Sequence, residues 1–241
     1  MKGVILAGGT GTRLYPLTKL MNKHLLPIGK HPMIHYAIDK LKEAEITDIL
    51  LITGKQSAGL YTDYLGSGKD WGVSLNFKIQ DEAGGIAQAL SLAESYISRE
   101  EKFVMILGDN LFEDNLKPYV ERFKQQPNGA MVLLKKVPDP KRYGVPLIHG
   151  GKIVKIDEKP EKPLSNFCVT GIYMYDGGVF DVIRTVQPSQ RGELEITDVN
   201  NAYAVNDLLS FSVLEGWWSD AGTFESLHEA QNVLSRGRER G

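Results

Sequence analysis

The feature that most constrains this chain is a glycine-rich turn that directly follows a short apolar run near its start. Residues 4–7 read as a buried parallel strand, and three glycines fall within positions 8–11. Glycine permits backbone conformations that other residues avoid, so a row of N–H groups at such a turn can close around an anion. The arrangement predicts a sheet strand with an anion site at its carboxyl end.

Two basic residues lie close to this turn. Arg13 offers a planar, permanently charged fork that suits phosphate oxygens, and Lys23 precedes the apolar residues 25–27. The better-known phosphate loops do not fit, because the segment lacks the Gly-Lys-Ser/Thr ending of a Walker loop and the third glycine of a dinucleotide fingerprint. The glycines alone would also suit an ordinary strand-to-helix turn. With both cations present, the segment predicts a polyphosphate-binding site.

Apolar runs and helical periodicity alternate along the first half of the chain. Strands are predicted at 4–7, 48–54, 74–79 and 103–107, with helices at about 33–44 and from near Gly85. This alternation predicts a three-layer, Rossmann-like α/β fold with a mostly parallel central sheet and helices on both faces. Ligands bind at the carboxyl ends of strands in such sheets, so the glycine turn and residues 108–110 are expected to share one crevice.

The second half is richer in strands, and no repeat or linker separates it from the first. Predicted strands fall at 130–137, 145–148, 152–157, 166–176 and 209–214, and predicted helices at 197–205 and 223–235. We therefore expect residues 1–241 to form a single domain in which the second half continues the same sheet. Residues 236–241 are expected to form a frayed, solvated tail.

Composition narrows the functional class. The 241 residues carry a net charge of −2, so no broad attraction to nucleic acid or membranes is expected, and any positive field must be local. The single cysteine, Cys168, excludes an internal disulfide and a multi-cysteine zinc site, and it fits a reducing cytoplasm. No apolar run reaches membrane length, and no signal-peptide pattern opens the chain. We expect a soluble cytoplasmic protein; the sequence leaves open whether it forms a homo-oligomer.

A longer pattern identifies a family. Residues 8–34 read GGxGxRLxPLTxxxxKxLLPIGxxPMI, which closely resembles the signature of sugar-phosphate nucleotidyltransferases, and among them that of glucose-1-phosphate thymidylyltransferases. The resemblance covers essentially the whole chain. It implies attack by α-D-glucose 1-phosphate on the α-phosphate of dTTP, which gives dTDP-glucose and pyrophosphate. Longer family members continue with helices that bear a regulatory nucleotide site, so a short form without that site is expected.

Three alternatives remain open at this point. UTP could replace dTTP, or another hexose phosphate could replace glucose 1-phosphate, because a methyl group is worth only about 1–3 kcal/mol in a pocket. A non-catalytic nucleotide-sugar sensor with the same fold is the third. Such a sensor would be expected to lose a metal carboxylate or a phosphate-binding cation, yet Arg13, Lys23, Asp109 and Asp220 are all present.

The resemblance assigns the nucleotide to the first strand, its turn and two later segments. The implied contacts are Leu6, Ala7, Gly8, Gly9, Thr10, Gly11, Thr12, Arg13, Gln80, Gly85 and Asp109. Gln80 has an amide that can pair with a carbonyl and an imide N–H of a pyrimidine. The chain reads Asp-Glu-Ala-Gly-Gly at 81–85, where family members often carry proline and aspartate, so the choice between thymine and uracil stays open.

Three residues are expected to be catalytic, in a reaction that needs charge neutralisation and alignment more than covalent help. Arg13 would bind the β- and γ-phosphates and stabilise the departing pyrophosphate, and Lys23 would lie nearer the α-phosphate and the sugar phosphate. Asp109, the third, would hold the metal ion. No general base is needed, because the sugar phosphate is already an anion near neutral pH. His24, beside Lys23, is expected to be structural.

Two aspartates are the predicted metal ligands. Asp109 follows a continuous apolar strand, and Asp220 lies in a match to the family pattern W-x-D-x-G-T at 218–223. Two carboxylates from distant segments, with substrate phosphates completing the shell, suit Mg²⁺ better than zinc. Either aspartate would also suit the N-cap of a helix. We expect Asp109 and Asp220 to bind Mg²⁺.

Short matches in family order imply a sugar-phosphate site, with residues 143–145 matching the family's R-Y-G-V, E-K-P at 158–160, V-T-G at 169–171 and R-G-E-L-E-I-T-D at 191–198. The implied contacts are Lys23, Asn110, Tyr143, Gly144, Glu158, Lys159, Val169, Arg191, Glu193 and Trp218. Each match alone would suit surface charge or a turn, and Glu195 would also suit a helix-dipole role. On this basis residues 1 to about 125 form a nucleotide-binding half and about 126–235 a sugar-binding half.

Overall fold

The computed structural model of the protein describes residues 1–237. Its strands are β1 (Lys2–Ala7), β2 (Pro27–Ile28), β3 (His31–Pro32), β4 (Asp48–Gly54), β5 (Ser74–Gln80), β6 (Lys102–Leu107), β7 (Leu111–Phe112), β8 (Ala130–Lys136), β9 (Gly144–His149), β10 (Lys152–Glu158), β11 (Phe167–Asp176), β12 (Leu209–Val213) and β13 (Trp218–Ser219). Its α-helices are α1 (Met33–Glu43), α2 (Ala58–Leu65), α3 (Ile86–Ser91), α4 (Lys117–Gln125), α5 (Val179–Ile183), α6 (Ile196–Val205) and α7 (Phe224–Gly237). Short 3-10 helices cover Thr12–Leu14, Leu17–Lys19, Lys23–Leu25 and Lys69–Trp71.

One large sheet organises the described residues, with the strand order β12-β8-β11-β6-β1-β4-β5. Strands β6, β1, β4 and β5 are mutually parallel, β12 is parallel to β8, and β11 is antiparallel to both of its neighbours. The predicted α/β fold with a mostly parallel central sheet is therefore confirmed. Strand β11 joins the two halves of the chain, because it pairs with β6 on one side and β8 on the other.

Alternate side chains of the buried strands pack against helices on the two faces of the sheet. Ile5 and Ile106 belong to the core that includes residues of α1, α2 and α4, whereas Val4 and Met105 belong to the core that includes residues of α3, α5 and α6. Successive side chains of a strand point to opposite faces, so a strand covered on both sides must be apolar throughout. The continuous apolar runs in the sequence are therefore a consequence of this three-layer packing.

The antiparallel direction of β11 places its first residues at the edge of the sheet where the parallel strands end. Ile172 pairs with Ile106, the residue before the last of β6, so residues 167–170 extend past the carboxyl end of β6. The register of β11 against β8 shifts after Val169, and such a bulge bends the strand locally. The V-T-G match thereby lies beside the ends of the parallel strands.

The sequence patterns do not predict a second, small sheet that lies at the same edge. Strand β7 pairs antiparallel with β13, with Leu111 opposite Ser219 and Phe112 opposite Trp218. Asp109 and Asp220 flank these strands, so the pairing brings the two segments with predicted metal ligands together. Strands of two residues carry no readable periodicity, which explains why the sequence does not reveal them.

Helices α2, α4 and α5 are further additions to the predicted elements. Helix α7 continues to Gly237, past the predicted end near residue 235, and residues 238–241 of the predicted tail lie outside the described residues. Among residues 1–237, no helix has both the length and the apolar character needed to cross a bilayer.

Candidate active site

A cavity of about 390 Å³ opens at the carboxyl ends of β1, β5 and β6. Most of the residues predicted for the nucleotide, the sugar phosphate, catalysis and the metal line it, namely Leu6, Gly8, Gly9, Thr10, Arg13, Lys23, Gln80, Gly85, Asp109, Asn110, Tyr143, Gly144, Glu158, Lys159, Val169, Arg191, Glu193, Trp218 and Asp220. The glycine turn and residues 108–110 therefore line one crevice, as the carboxyl-edge rule predicts, together with residues from the second half of the chain.

Three of the predicted nucleotide contacts lie outside the cavity wall. Ala7 is fully buried in the sheet, and Thr12 is exposed at the start of a 3-10 helix. Gly11 has a φ of 66°, and a Cβ atom there would lie 3.0 Å from the methyl group of Thr18. These residues shape the turn, because Gly11 supplies the left-handed conformation that a side chain would disfavour.

The two predicted phosphate-binding cations flank the glycine turn. A Cβ atom on Gly9 would lie 3.6 Å from Lys23 Cε, so the lysine stem runs close to the turn. A Cβ atom on Gly222 would lie 2.9 Å from Arg13 Nη2 and 3.4 Å from Asp220 Oδ2. The Arg13 guanidinium and the Asp220 carboxylate thus both lie beside Gly222, whose lack of a side chain leaves room for them.

Asn22 ties the turn to the sheet and to helix α2. Its side-chain oxygen accepts hydrogen bonds from the backbone N–H of His24 at 3.0 Å and from the hydroxyl of Tyr61 at 3.0 Å. Its amide nitrogen donates to the carbonyls of Ala7 at 3.3 Å and Gly9 at 3.5 Å. Sequence reasoning missed Asn22, although an asparagine at the N-cap of a 3-10 helix is a recognisable signal.

Lys23 and Asp109 form an ion pair inside the cavity, and both side chains are largely buried. Burial alone would raise the pKa of the Asp109 carboxyl. The charge of Lys23 and a hydrogen bond from Asn110 outweigh burial and hold that pKa below its usual 3.8. Asp109 is therefore ionised at neutral pH. Burial lowers the pKa of His24 to about 3, with help from the Lys23 charge, so this imidazole is neutral.

Asn110 connects three segments around the cavity, and its side chain is buried. Its side-chain oxygen accepts hydrogen bonds from the backbone N–H of Gly171 and the indole N–H of Trp218, both at 2.8 Å. Its amide nitrogen donates to Asp109 Oδ1 at 3.0 Å. The resemblance assigns Asn110 to the sugar phosphate, whereas in the structure these polar atoms bind the protein itself.

A set of charged side chains holds the segment that leads into β13. The ammonium of Lys135 donates to the carbonyls of residues 214–216 at 2.5–3.1 Å. The carboxylate of Asp114 accepts from the N–H groups of Glu215 at 3.0 Å and Gly216 at 2.8 Å, and Glu113 accepts from the N–H of Trp217 at 2.8 Å. The position of Asp220, shortly after this segment, is fixed from both sides.

Asp109 and Asp220 offer carboxylate oxygens, which are the ligands that a hard cation such as Mg²⁺ prefers. Asp220 is 14 % exposed, and its buried Oδ1 accepts no hydrogen bond from residues 1–237. In the same part of the chain, no group of three or more His, Cys, Asp or Glu residues is arranged to hold a metal ion. An ion held by Asp109 and Asp220 would thus need oxygens from a substrate, a pattern typical of Mg²⁺ with phosphates.

The predicted base-binding residues lie on one wall. Gln80 is buried, and its amide donates a 2.7 Å hydrogen bond to Gln88. Gly85 has a φ of 100°, and a Cβ atom there would lie 2.5 Å from the carbonyl oxygen of Leu194. The backbone of residue 84 also bonds to Leu194, at 2.8 Å. These contacts join the base-binding wall to the R-G-E-L-E-I-T-D segment.

The predicted sugar-binding residues centre on Glu158. Its carboxylate accepts a 2.6 Å hydrogen bond from the hydroxyl of Thr197 and lies 3.2 Å from Lys159 Nζ and 3.7 Å from Arg191 Nη2. Arg191 lies nearer to Glu195, at 2.8 Å. Glu195 therefore pairs with a predicted ligand-binding arginine in addition to standing at the start of a helix.

Further cavity residues were not assigned to the site by the sequence patterns: His24, Ala83, Ile86, Ala89, Leu107, Arg142, Thr170, Gly171, Tyr173, Glu195, Ile196, Thr197 and Asn200. Several of them are neighbours of matched residues, which is the signal that could have found them. Arg142 is the arginine of the R-Y-G-V pattern, and Thr170 and Gly171 belong to V-T-G. Tyr173 and Asn200 lie in β11 and α6 and carry no such signal.

Comparison with known proteins identifies the family of this chain. The model of the nucleotidyl transferase family matches residues 2–237. The chain belongs to the nucleotidyl transferase family. This nucleotidyl transferase is 44% identical over 237 residues to the glucose-1-phosphate thymidylyltransferase of Xanthomonas campestris pv. campestris, a match that covers 97% of this chain and 80% of that protein. It is 42% identical over 240 residues to the enzyme of that name from Neisseria meningitidis, with 97% and 82% covered.

Solved structures agree with this nucleotidyl transferase assignment. A Bacillus anthracis structure that carries the name glucose-1-phosphate thymidylyltransferase and holds a sucrose is 54% identical, with a TM-score of 0.93, and the match covers 97% of this chain and 94% of that chain. A UDP-glucose pyrophosphorylase in complex with UDP-glucose is 26% identical, with a TM-score of 0.86 and 98% of both chains covered.

Proposed function

We propose that the chain is a glucose-1-phosphate thymidylyltransferase, which transfers the thymidylyl group of dTTP to α-D-glucose 1-phosphate and releases pyrophosphate. The observation that carries this proposal is a single cavity that collects Arg13, Lys23 and Asp109 from one half of the chain and Glu158 and Arg191 from the other. Relatives of this name, 44% and 42% identical, support the choice of substrates.

The proposed reaction is an in-line displacement at the α-phosphorus of the nucleotide. An oxygen of the sugar phosphate forms the new P–O bond while the bond to the β-phosphate oxygen breaks. Arg13, beside the glycine turn, neutralises the charge that grows on the departing pyrophosphate, and Lys23 neutralises the α-phosphate. Lys159 and Arg191 bind the phosphate of the sugar, and Glu158 accepts hydrogen bonds from its hydroxyl groups. Holding both anions in line is the main task of these residues.

We infer that Asp109 and Asp220 hold Mg²⁺, which when bound would neutralise triphosphate oxygens. The ionised state of Asp109 and the free lone pairs of Asp220 Oδ1 support this inference. The chain's own part is to present two carboxylates on segments that the β7–β13 pair holds together.

We also propose that residues 1 to about 125 bind the nucleotide and residues about 126–235 the sugar within one domain. The positions of Gln80 and Glu158 on the cavity wall support this division. A cytoplasmic location is proposed because the single cysteine, Cys168, is a buried free thiol.

A second candidate is the same reaction with UTP. The likeness to a UDP-glucose pyrophosphorylase over nearly the full length of both chains favours it. The two nucleotides differ at the base by one methyl group, which is worth about 1–3 kcal/mol in a pocket.

One panel of assays tests both candidates. Purified protein is incubated with Mg²⁺, each of the common nucleoside triphosphates and several hexose 1-phosphates, and the release of pyrophosphate is followed. We expect dTTP with glucose 1-phosphate to give the highest kcat/KM. A preference for UTP would support the second candidate, and no release with any pair would overturn the proposed activity.

A further inference from the structure

Arg142 lies in the cavity next to Asp220, and the family's R-Y-G-V pattern includes it without assigning it a role. Its Nη2 atom lies 3.6 Å from Asp220 Oδ1 and donates a 2.9 Å hydrogen bond to the hydroxyl of Tyr143. The guanidinium also lies over the Tyr143 ring, 5.4 Å from its centre. These contacts hold a permanent positive charge beside Oδ1 of the Asp220 carboxylate, which lines the cavity.

The charge of Arg142 matters because of the surroundings of the Asp220 carboxylate. Its Oδ1 is buried and accepts no hydrogen bond within residues 1–237, and its Oδ2 lies on the side of Arg13. At 3.6 Å, Arg142 compensates the charge of Oδ1 without occupying its lone pairs through a short hydrogen bond. A cation that binds Oδ1 must therefore approach a guanidinium at close range, and the two like charges repel.

We propose that Arg142 is a positioning residue that holds the Asp220 carboxylate in the substrate-free protein and opposes the binding of a divalent cation there. Because Asp220 is taken to be the metal ligand, this rests on the proposed function. Arg142 is 45 % exposed, in the loop between β8 and β9, so its side chain has space to turn toward an entering phosphate. The triphosphate would then offer oxygens to the cation. It would also attract the Arg142 guanidinium away from Asp220 and so remove the repulsion.

This arrangement makes cation binding and nucleotide binding reinforce each other. In the wild-type protein, a cation that binds without dTTP is repelled by the Arg142 guanidinium. A cation that binds together with dTTP is not, because the guanidinium has turned toward the phosphates. Thermodynamic linkage requires the two ligands to raise each other's affinity by the same factor. Removal of Arg142 should reduce that factor, because the cation would no longer be opposed when it binds alone.

The test measures cation binding without turnover. Tb³⁺ binds carboxylate oxygens, and its luminescence is sensitised by a nearby indole such as Trp218, two positions before Asp220. Tb³⁺ is titrated into the wild-type protein and the Arg142→Gln, Arg142→Lys and Asp220→Asn variants, and is then displaced with Mg²⁺. Lys141→Gln is the matched control, because it removes a positive charge from the same loop at an exposed position that does not line the described cavity.

We expect Arg142→Gln to bind Tb³⁺ and Mg²⁺ about two- to fivefold more tightly than the wild type, the range expected for one partly exposed ion pair. Arg142→Lys, which keeps the charge, should stay near the wild-type affinity, as should Lys141→Gln. Repeating the titration with saturating dTTP should remove the difference between Arg142→Gln and the wild type. In an Asp220→Asn background, Arg142→Gln should have no further effect.

The outcomes separate this proposal from the proposed function. If Asp220→Asn leaves cation binding unchanged, the metal assignment itself is wrong. If Asp220→Asn weakens binding but Arg142→Gln binds no more tightly than the wild type, only the role of Arg142 is overturned. Circular dichroism checks that each variant is folded, and Arg142→Lys provides the comparison should the glutamine variant fail to fold. A lysine variant with several-fold tighter binding than the wild type would also contradict the charge-based explanation.

Discussion

The side-chain oxygen of Asn110 accepts a 2.8 Å hydrogen bond from the indole N–H of Trp218, which lies 108 positions later in the chain. The same oxygen accepts the backbone N–H of Gly171, and the amide nitrogen donates to Asp109. One buried amide thereby joins the end of β6 to β11 and to β13. The relationship explains how carboxylates from distant parts of the sequence reach the same wall of the cavity.

Asn110→Ala should destabilise the protein strongly. The substitution leaves the N–H groups of Gly171 and Trp218 buried without an acceptor, at about 1–3 kcal/mol for each group. We expect the free energy of unfolding, measured with urea, to fall by about 2–4 kcal/mol. Asn76→Ala removes the same side chain at an exposed strand position and should change stability by less than about 0.5 kcal/mol. Equal stability of the two variants would contradict the connecting role of Asn110.

His24 should make stability depend on pH. Its pKa is about 3 in the folded protein, against the ordinary histidine value of 6.5, so between these values the unfolded chain binds a proton that the folded chain does not. Stability therefore falls as pH falls from 6.5 toward 3. Between pH 7.5 and 5, the wild type should lose about 2 kcal/mol more than His24→Gln, because glutamine cannot be protonated.

Urea unfolding at several pH values checks this expectation. His149→Gln is the matched control, since it removes a histidine from an exposed position that does not line the described cavity. A His24→Gln variant with the same pH dependence as the wild type would show that the imidazole is not held neutral by its surroundings.

The sequence predicts the parts of the fold that depend on local pattern. The runs that form β1, β4 and β6 are apolar throughout because both faces of the sheet are covered, so the strands and the three-layer arrangement are both readable. The carboxyl-edge rule then brings Gly8, Gln80 and Asp109 together without knowledge of coordinates. Family order adds the residues predicted to bind the sugar phosphate, which pattern alone does not reveal.

The rest depends on contacts between residues far apart in sequence. The β7–β13 pair has only two residues in each strand, so no periodicity marks it. Arg142 lies next to Asp220 although the two residues are far apart in the sequence, and neither family match predicts their contact. Asn110 illustrates the same limit, because an asparagine after a strand suits a ligand contact as well as a structural hydrogen bond. The folded arrangement shows the structural hydrogen bonds, and the ligand contact stays a prediction.

Asp109→Asn should abolish turnover and leave the fold intact. The amide keeps the shape of the side chain but removes the charge that pairs with Lys23 and that would hold a cation. We expect kcat to fall by a factor on the order of 10²–10³ or more. Circular dichroism should show native secondary structure.

The matched control is Asp63→Asn, at an exposed position on α2, which should have wild-type activity. Near-normal turnover of Asp109→Asn with Mg²⁺ would refute the assignment.

Asp109 should also stabilise the protein in a pH-dependent way. Its folded pKa lies below 3.8, so the ionised carboxylate contributes stability above that pH and loses it as the pH falls through the folded pKa. The difference in unfolding free energy between the wild type and Asp109→Asn should therefore shrink in acid below pH 3.8. A difference that stays constant from neutral pH into this range would show that the ion pair with Lys23 does not control the carboxyl.

Gly8→Ala should weaken nucleotide binding selectively. A Cβ atom on Gly8 would clash with the side-chain oxygen of Gln80, which is held in place by its hydrogen bond to Gln88. Displacing Gln80 should raise the KM for dTTP about tenfold, equivalent to about 1.4 kcal/mol, the scale of one or two lost hydrogen bonds. The KM for glucose 1-phosphate should change by less than about twofold, because the contacts of Glu158 are untouched. Steady-state kinetics with each substrate varied in turn measures both values.

Gly59→Ala, in helix α2 with open space around it, is the control and should leave both KM values unchanged. An equal rise in the two KM values for Gly8→Ala would mean that the turn shapes the whole cavity and not only its base-binding wall.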